Sequence, residues 1–413
     1  MHLPSEKILE NVYGENQVSL KRFKSLAQHY KSHFKTEQVE YFSSPGRTEI
    51  IGNHTDHNGG KVIAASIDMD TIGAAYPNNS NIVCIVSEGY EKEIIVDLSS
   101  DDEVPLNEGT LSLVAGMMKV TKNFGFKISG FNAYVSTNVI SSAGVSSSAS
   151  FEMLICSIIN YFFNNNALNY IDYAQIGQYA ENKYWNKASG LMDQMACAVG
   201  GTILLDFSKN VKFEKVDFSF AQIGYDLIII NTGKGHADLS HEYSEIPLEM
   251  ELIAHKLGTS HLSENDLSDI LNRFSEIESS VTNDRAILRS LHFFEENHRV
   301  DEAISAIREE NRKRLLKLIE ESGNSSWKWL QNCHSEENYK EQKVSLVLAL
   351  TELFLRKIGD GCCRVHGGGF AGVIMSIVPE TETTNYIQFI SRFVTINNIY
   401  PLQIRKFGAI HLE

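Results

Sequence analysis

Apolar positions along this chain follow a mixed rhythm in the first half and a mostly helical one in the second. A helical spacing over residues 18–34 predicts an amphipathic helix, followed by a short strand at 39–43. Alternating, β-branched runs at 62–67, 81–86 and 93–97 predict strands, with Pro77, Asn78 and Asn79 as turn punctuation. The pattern then gives a helix over 110–123, a strand over 130–136, helices over about 148–163 and 170–185, and strands at 202–206 and 226–231. Beyond residue 236 the texture changes: 245–257, 264–294, 296–309 and 312–322 have helical periodicity, many charges and hardly any Gly or Pro. A helix at about 340–357, strands near 363–366 and 372–378, and a closing strand within YPLQIRKFGAIHLE complete the pattern.

Strands and helices in this mixed order predict an α+β fold. At 413 residues the chain exceeds what one hydrophobic core usually serves, so two domains are expected. The change of texture near 215–225 divides it into an N-terminal domain over 1–222 and a C-terminal domain over 223–413. There is no internal repeat and no low-complexity linker.

Charge changes the picture of partners. A formal net charge of −15 opposes nucleic acid and anionic membranes. It would oppose a nucleotide too, unless a local nest of backbone N–H groups and a cation offset it. No apolar run reaches the length of a membrane span, and the first residues lack an apolar signal core, so a cytoplasmic protein is expected. Six cysteines without CxxC spacing predict reduced, buried thiols. Nothing in the chain distinguishes a monomer from a homodimer.

Candidate chemistry sits in three glycine-bearing segments, PGRTEIIGNHTDHNGG at 45–60, VISSAGVSSSAS at 139–150 and RVHGGGFAGVIMSIV at 364–378. The second opens a helix with small residues only. A helix's first turn leaves N–H groups unpaired and partially positive, which suits phosphate oxygens. Gly144 permits close approach, and the hydroxyls of Ser146, Ser147 and Ser148 can add donors or hold a metal; a serine-rich cap without a ligand fits the segment equally well. No P-loop occurs, and GVSSS is not a nucleophile elbow. Gly367, Gly369 and Gly372 match G-x-G-x-x-G, but they run into an apolar β-like stretch, so a glycine turn between strands fits better than a dinucleotide fingerprint. Asp193, in Gly190-Leu-Met-Asp193-Gln194, reads by itself as an exposed or capping residue.

Together, in this order, the three segments closely resemble the signature motifs of the GHMP family of small-molecule kinases, and the first looks like galactokinase. The resemblance runs over most of the chain. It implies a two-domain GHMP-kinase architecture with mixed β-sheets covered by helices and an active site in the cleft between domains. It implies a sugar 1-kinase using ATP and Mg²⁺, with small-molecule partners only. Asp193 then matches the family's Asp at the reacting hydroxyl, with Arg47 beside it, while Glu181 and Ser148 match its magnesium ligands. Gly144, Ser146, Ser147 and Ser148 would cradle phosphates, and Gly367, Gly368 and Gly369 would close over the substrate or phosphates. Asn53, His54, Asp56, Gly190 and Tyr243 would recognise the sugar. Without the family, Arg47 reads as a surface ion pair, and Tyr243 could equally be a half-buried helix residue.

The chain also departs from the family. Galactokinases read G-E-H-T-D-Y where this chain has Gly52-Asn53-His54-Thr55-Asp56-His57. That Glu contacts the sugar near its C6 end, so a neutral Asn53 that donates N–H would admit a uronic acid. Plant galacturonokinases share this loss and carry His at the later position. The aromatic that often precedes the second motif is missing near Glu108 and Leu111, and the family's Cys-Pro-Glu-Leu-Asp run is missing after Trp327. Galactose or a close galacto-configured sugar is the expected substrate, galacturonate the rival. An inactive sugar- and ATP-responsive sensor is the alternative of another class.

Overall fold

The structure is a computed structural model, which describes residues 2–413 apart from 101–103, 142–143, 186–188, 234–239, 282, 337 and 371. Parts of the second and third glycine segments, and most of GKGHADL before Tyr243, therefore lie outside the described residues.

Among the described residues the strands form two sheets. The first contains β1 (Glu40–Ile51), β2 (Lys61–Pro77), β3 (Ile82–Ser87), β4 (Ile94–Asp97), β5 (Phe131–Thr137), β6 (Thr202–Asp206) and β7 (Lys212–Val216). The second runs β11-β8-β10-β9, built from β8 (Tyr225–Asn231), β9 (Cys362–Val365), β10 (Val373–Pro379) and β11 (Ile399–Leu402). The final strand β12 (Ile410–Leu412) returns to pair antiparallel with β1, so the end of the chain belongs to the first sheet. The parallel β3–β5 pair makes that sheet mixed. The expected boundary at 222/223 falls just before β8.

Both faces of the first sheet are covered. On one lie α3 (Thr110–Asn123), α4 (Ser147–Asn164) and α5 (Tyr170–Tyr184), whose Leu113, Met117, Met153, Ile158 and Ile176 pack with Phe42, Val83 and Phe131. On the other lie α1 (Glu6–Tyr13) and α2 (Gln17–Phe34), where Phe23 and Tyr30 meet Tyr41, Ile72 and Leu412. Burying each such side chain stabilises by about 1.5–3 kcal/mol. A third cluster joins the sheets to each other, with Ile50, Ile63 and Ile67 against Leu227, Met375 and Val300.

The helical half contains α7 (Ser240–Leu257), α8 (Leu267–Asn272), α9 (Phe274–Ser280), α10 (Asp284–Arg308), α11 (Arg312–Ser325), α12 (Lys343–Ile358) and α13 (Thr383–Ile390). The pattern had placed one helix over 264–294 and another from 296. Instead the break comes earlier, where Asn283 caps α10 by accepting from the N–H groups of Arg285 and Ala286. No Gly or Pro interrupts residues 284–308, so α10 continues through 295. A π-helical turn at Ser326–Leu330 follows α11. No helix among the described residues is long and apolar enough to cross a membrane.

β1 is longer than the five residues its pattern suggested, and this positions the site. It runs into the first glycine segment as far as Ile51, and its register against β2 shifts between Pro45 and Arg47. Such a bulge re-aims the side chains that follow it. From Arg47 the strand's two-residue period puts Glu49 on the same face.

Candidate active site

Four parts of the chain converge beyond that bulge. The Arg47 N–H bonds to the carbonyl of Val145 at 3.1 Å, fastening β1 to the turn before α4. The Arg47 guanidinium donates from Nη1 to the carbonyl of Gly144, and from Nε and Nη2 to Asp193 Oδ1 at 2.7 and 2.6 Å. Asp193 lies in the first turn of α6 (Met192–Val199), a helix that the apolar pattern did not reveal. A helix N-terminus favours an ionised carboxylate. The other oxygen, Oδ2, accepts from the hydroxyl of Ser146, whose backbone sits in the left-handed region at φ 58°. Burial works against the charge on Arg47, but Asp193 and Glu49 outweigh it and leave its pKa above the ordinary arginine value.

The serines of the second segment take distinct places. Ser146 precedes α4 and holds Asp193, whereas Ser147 and Ser148 occupy the helix's first turn. Glu181 is buried near the end of α5, where it accepts from the Ser189 hydroxyl and, at 3.1 Å, from Gln194 Nε2. The same amide nitrogen reaches Glu152 of α4 at 3.1 Å, tying α4, α5 and α6 together.

A small cavity of about 50 Å³ opens beside Asp193, lined by Arg47, Glu49, His54, Asp56, Ser189, Gly190, Met192, Asp193, Tyr243, Gly367 and Gly368. Larger grooves lie elsewhere, one of about 860 Å³ between α11 and α12, but they carry none of the motif residues proposed for chemistry. Gly190 is demanded by close approach: a Cβ there would lie 1.8 Å from Asp56 Oδ2. Gly368 packs against the Tyr243 ring, where a Cβ would meet Cε2 at 2.7 Å. Gly367 faces Gly144 and Gly369 faces Asn332, so the third segment closes on both the serine turn and the chain that follows the π-helical turn.

His54 bonds through Nε2 to the carbonyl of Gly368 at 3.0 Å. A carbonyl only accepts, so Nε2 carries the proton and Nδ1 is left as an acceptor. Burial, helped by neighbouring His57, lowers its pKa to about 3, and the ring is neutral at pH 7. Its centroid lies 5.1 Å from that of Tyr243, whose hydroxyl is 3.5 Å from His57 Nε2. Burial first, then Asp56 and Asp193, push the Tyr243 phenol far up, so it remains a neutral donor.

Asn53 differs from its expected role. It is wholly buried and does not line the cavity. Its Nδ2 donates to Gly367 O at 2.9 Å and to both oxygens of Glu49 at 3.1 and 3.2 Å. Its Oδ1 accepts from Asn332 at 2.9 Å and Ser326 at 3.3 Å. Glu49, absent from the expected set, faces the cavity in its stead. The signal for it was an acid two residues past Arg47, on the same face of the strand.

A model of the galactokinase galactose-binding signature matches residues 28–77, and one of the GHMP kinases N terminal domain matches residues 112–201. The galactokinase of Limosilactobacillus reuteri (strain DSM 20016) is 32% identical over 372 residues, 86% of this chain and 90% of that protein. The galactokinase of Lactococcus lactis subsp. lactis (strain IL1403) is 31% identical over 358 residues, covering 85% and 86%. The crystal structure of Lactococcus lactis galactokinase complexed with galactose superposes with a TM-score of 0.80 at 27% identity, covering 94% of this chain and 99% of that one. A mevalonate kinase crystal structure shares the fold at a TM-score of 0.61 and 16% identity, covering 89% and 99%.

Proposed function

This chain belongs to the galactokinase family of GHMP kinases and is an ATP-dependent sugar kinase; on that premise we propose that it phosphorylates the anomeric hydroxyl of galactose or a close galacto-configured sugar. The observation that carries the reading is the Arg47–Asp193–Ser146 arrangement at the wall of a cavity that also holds His54, Asp56, Gly190 and Tyr243.

Asp193 receives or orients the proton of the anomeric hydroxyl. Arg47 keeps that carboxylate ionised, and Ser146 fixes its second oxygen, so the nucleophile meets an acceptor already in place. Nucleotide phosphates lie against the turn at Gly144 and the first turn of α4, with Ser147 and Ser148 as added donors. His54 Nδ1, Asp56 and the Tyr243 hydroxyl supply the paired polar groups that sugar hydroxyls need, and such sites penalise a missing partner heavily.

Ser148 and Glu181 offer only oxygen donors, which fits Mg²⁺. Held there, the ion would neutralise charge on the nucleotide's phosphates. Arg47, Asp193 and Ser146 act on the sugar side whatever the cation.

The test is a phosphotransfer assay on a panel of aldoses and uronates with ATP, run with wild type and Asp193→Ala. Galactose 1-phosphate from wild type only is the expected product. Equal inactivity of the two proteins on every sugar, with sugar binding retained, would replace the reading by a sugar sensor.

A further inference from the structure

We propose that Glu49 is the specificity-determining residue of the sugar cavity, accepting a hydrogen bond from a neutral sugar's hydroxyl and turning away a sugar that bears a carboxylate. The inference rests on the sugar-kinase reading and narrows its substrate class.

Glu49 is 2% exposed, yet it is among the residues that line the cavity, with Arg47 and His54. Behind it Arg364 is buried at 1% exposure and donates from Nη2 to Glu49 Oε1. Its Nε also donates to Val365 O at 2.9 Å and its Nη1 to Ile50 O at 3.1 Å. Glu49 is the ion-pair partner of Arg364 among the described residues. A buried guanidinium without a counter-charge is strongly unfavourable, so Arg364 favours the ionised form of Glu49, while burial outweighs that pull and leaves the carboxyl's pKa above the usual glutamate value.

Asn53 completes the clamp. One of its amide hydrogens is shared between the two Glu49 oxygens and the other goes to Gly367 O. A carboxylate on the sugar would therefore find both N–H groups of Asn53 engaged and Arg364 outside the cavity lining, and would meet Glu49 as a like charge. A hydroxyl in the same place donates to Glu49 Oε2, which Arg364 does not engage. The acid that selects a neutral sugar thus stands four residues before position 53, on the strand face that also carries Arg47.

The experiment compares kcat/KM for galactose and galacturonate, with sugar affinities measured separately by calorimetry. Wild type should favour galactose by at least about 100-fold, the discrimination a site gains when it leaves the wrong substrate's polar group unpaired. Glu49→Gln should lower kcat/KM for galactose by about 10–100-fold, chiefly through KM, and raise the uronate-to-hexose ratio at least about 10-fold. Because Glu49→Gln strands the Arg364 charge, the paired variant Glu49→Gln/Arg364→Met is measured beside it, and the same shift in ratio is expected. A wild-type preference for galacturonate overturns the role of Glu49 while leaving a sugar kinase standing. An unchanged ratio in a folded variant that still phosphorylates galactose does the same. Absence of both binding and phosphorylation of either sugar by wild type overturns the functional reading and this inference with it.

Discussion

The Arg47 guanidinium grips a single oxygen of Asp193, with Nε at 2.7 Å and Nη2 at 2.6 Å, and its remaining Nη1 holds the carbonyl of Gly144. One side chain thus ties the acceptor carboxylate to the glycine–serine turn. A lysine offers a point charge and cannot span both partners. Arg47→Lys should therefore lower kcat by about 10–100-fold, the value of one or two charge-assisted hydrogen bonds. Asp193→Asn should cost about 10²–10⁴-fold, the range of a lost general base. Steady-state kinetics with calorimetric sugar binding checks both; a loss confined to KM would contradict the roles assigned here.

Neighbouring serines should separate cleanly. Ser146→Ala removes the donor to Asp193 Oδ2 and is expected to lower kcat by about 10-fold or more with little effect on nucleotide affinity. Ser148→Ala, in the first turn of α4, should instead weaken use of Mg²⁺-ATP and leave sugar binding alone. Calorimetry with sugar only, and separately with Mg²⁺ and a non-hydrolysable nucleotide, distinguishes them. Identical effects of the two substitutions would show that the serines act as one cap.

Local signals were legible in the sequence, and contacts set by distant chain were not. Arg47, Gly144, Asp193 and the third glycine turn lie in short segments with their own turn chemistry, and the structure brings those segments together. The extent of β1 was missed because Pro45, Gly46 and Gly52 read as turn residues, whereas pairing with β2 absorbs the first two as a bulge. Eight-residue α6 was missed because MDQMACAV, buried at every position but Asp193, is too short a run for periodicity to assign. Asn53 looked like a sugar ligand, but its amide is claimed by Gly367 and Asn332, 314 and 279 positions away. No spacing rule within one segment announces such partners. The last strand was legible as a strand, while its return to β1 depends on the whole sheet.

Two glycines should behave as sugar-side tolerances. Gly190→Ala places a methyl 1.8 Å from Asp56 Oδ2, and Gly368→Ala places one 2.7 Å from the Tyr243 ring. Each displaces a proposed sugar ligand without touching Asp193. The expected result is a rise in sugar KM of about 10-fold or more, larger for Gly190→Ala, with ATP affinity retained. A displacement of about an ångström commonly costs that much or more. Wild-type sugar KM in both variants would remove Asp56 and Tyr243 from the sugar site.

Acid should unfold this protein in two stages, and the first belongs to histidines. His292 is buried in α10, with Nε2 2.9 Å from Asn53 O and Nδ1 2.8 Å from Ser325 Oγ. Burial lowers its pKa to about 4 and that of His54 to about 3. His366, buried beside Thr48, is lowered well below the ordinary value too. In the unfolded chain each titrates near 6.5. Below that pH the unfolded state binds protons that the folded state refuses, so stability is full above 6.5 and falls as the pH drops toward 4. Three such groups make the loss about 4 kcal/mol per pH unit once the unfolded histidines are mostly protonated. Glu296 adds the second stage. Arg299 first, then His292, Arg364 and the Ser322 hydroxyl, hold its pKa down at about 2 against the opposing effect of burial. Its contribution is present above its unfolded value of 4.5 and disappears as the pH falls toward 2. Chemical denaturation at pH 7.5, 6.5 and 5.5 reads the first slope. His292→Gln should reduce that slope by about one proton, roughly a third of it. A stability that stays level from pH 7.5 to 5.5 would mean that these imidazoles are not held neutral in the folded protein.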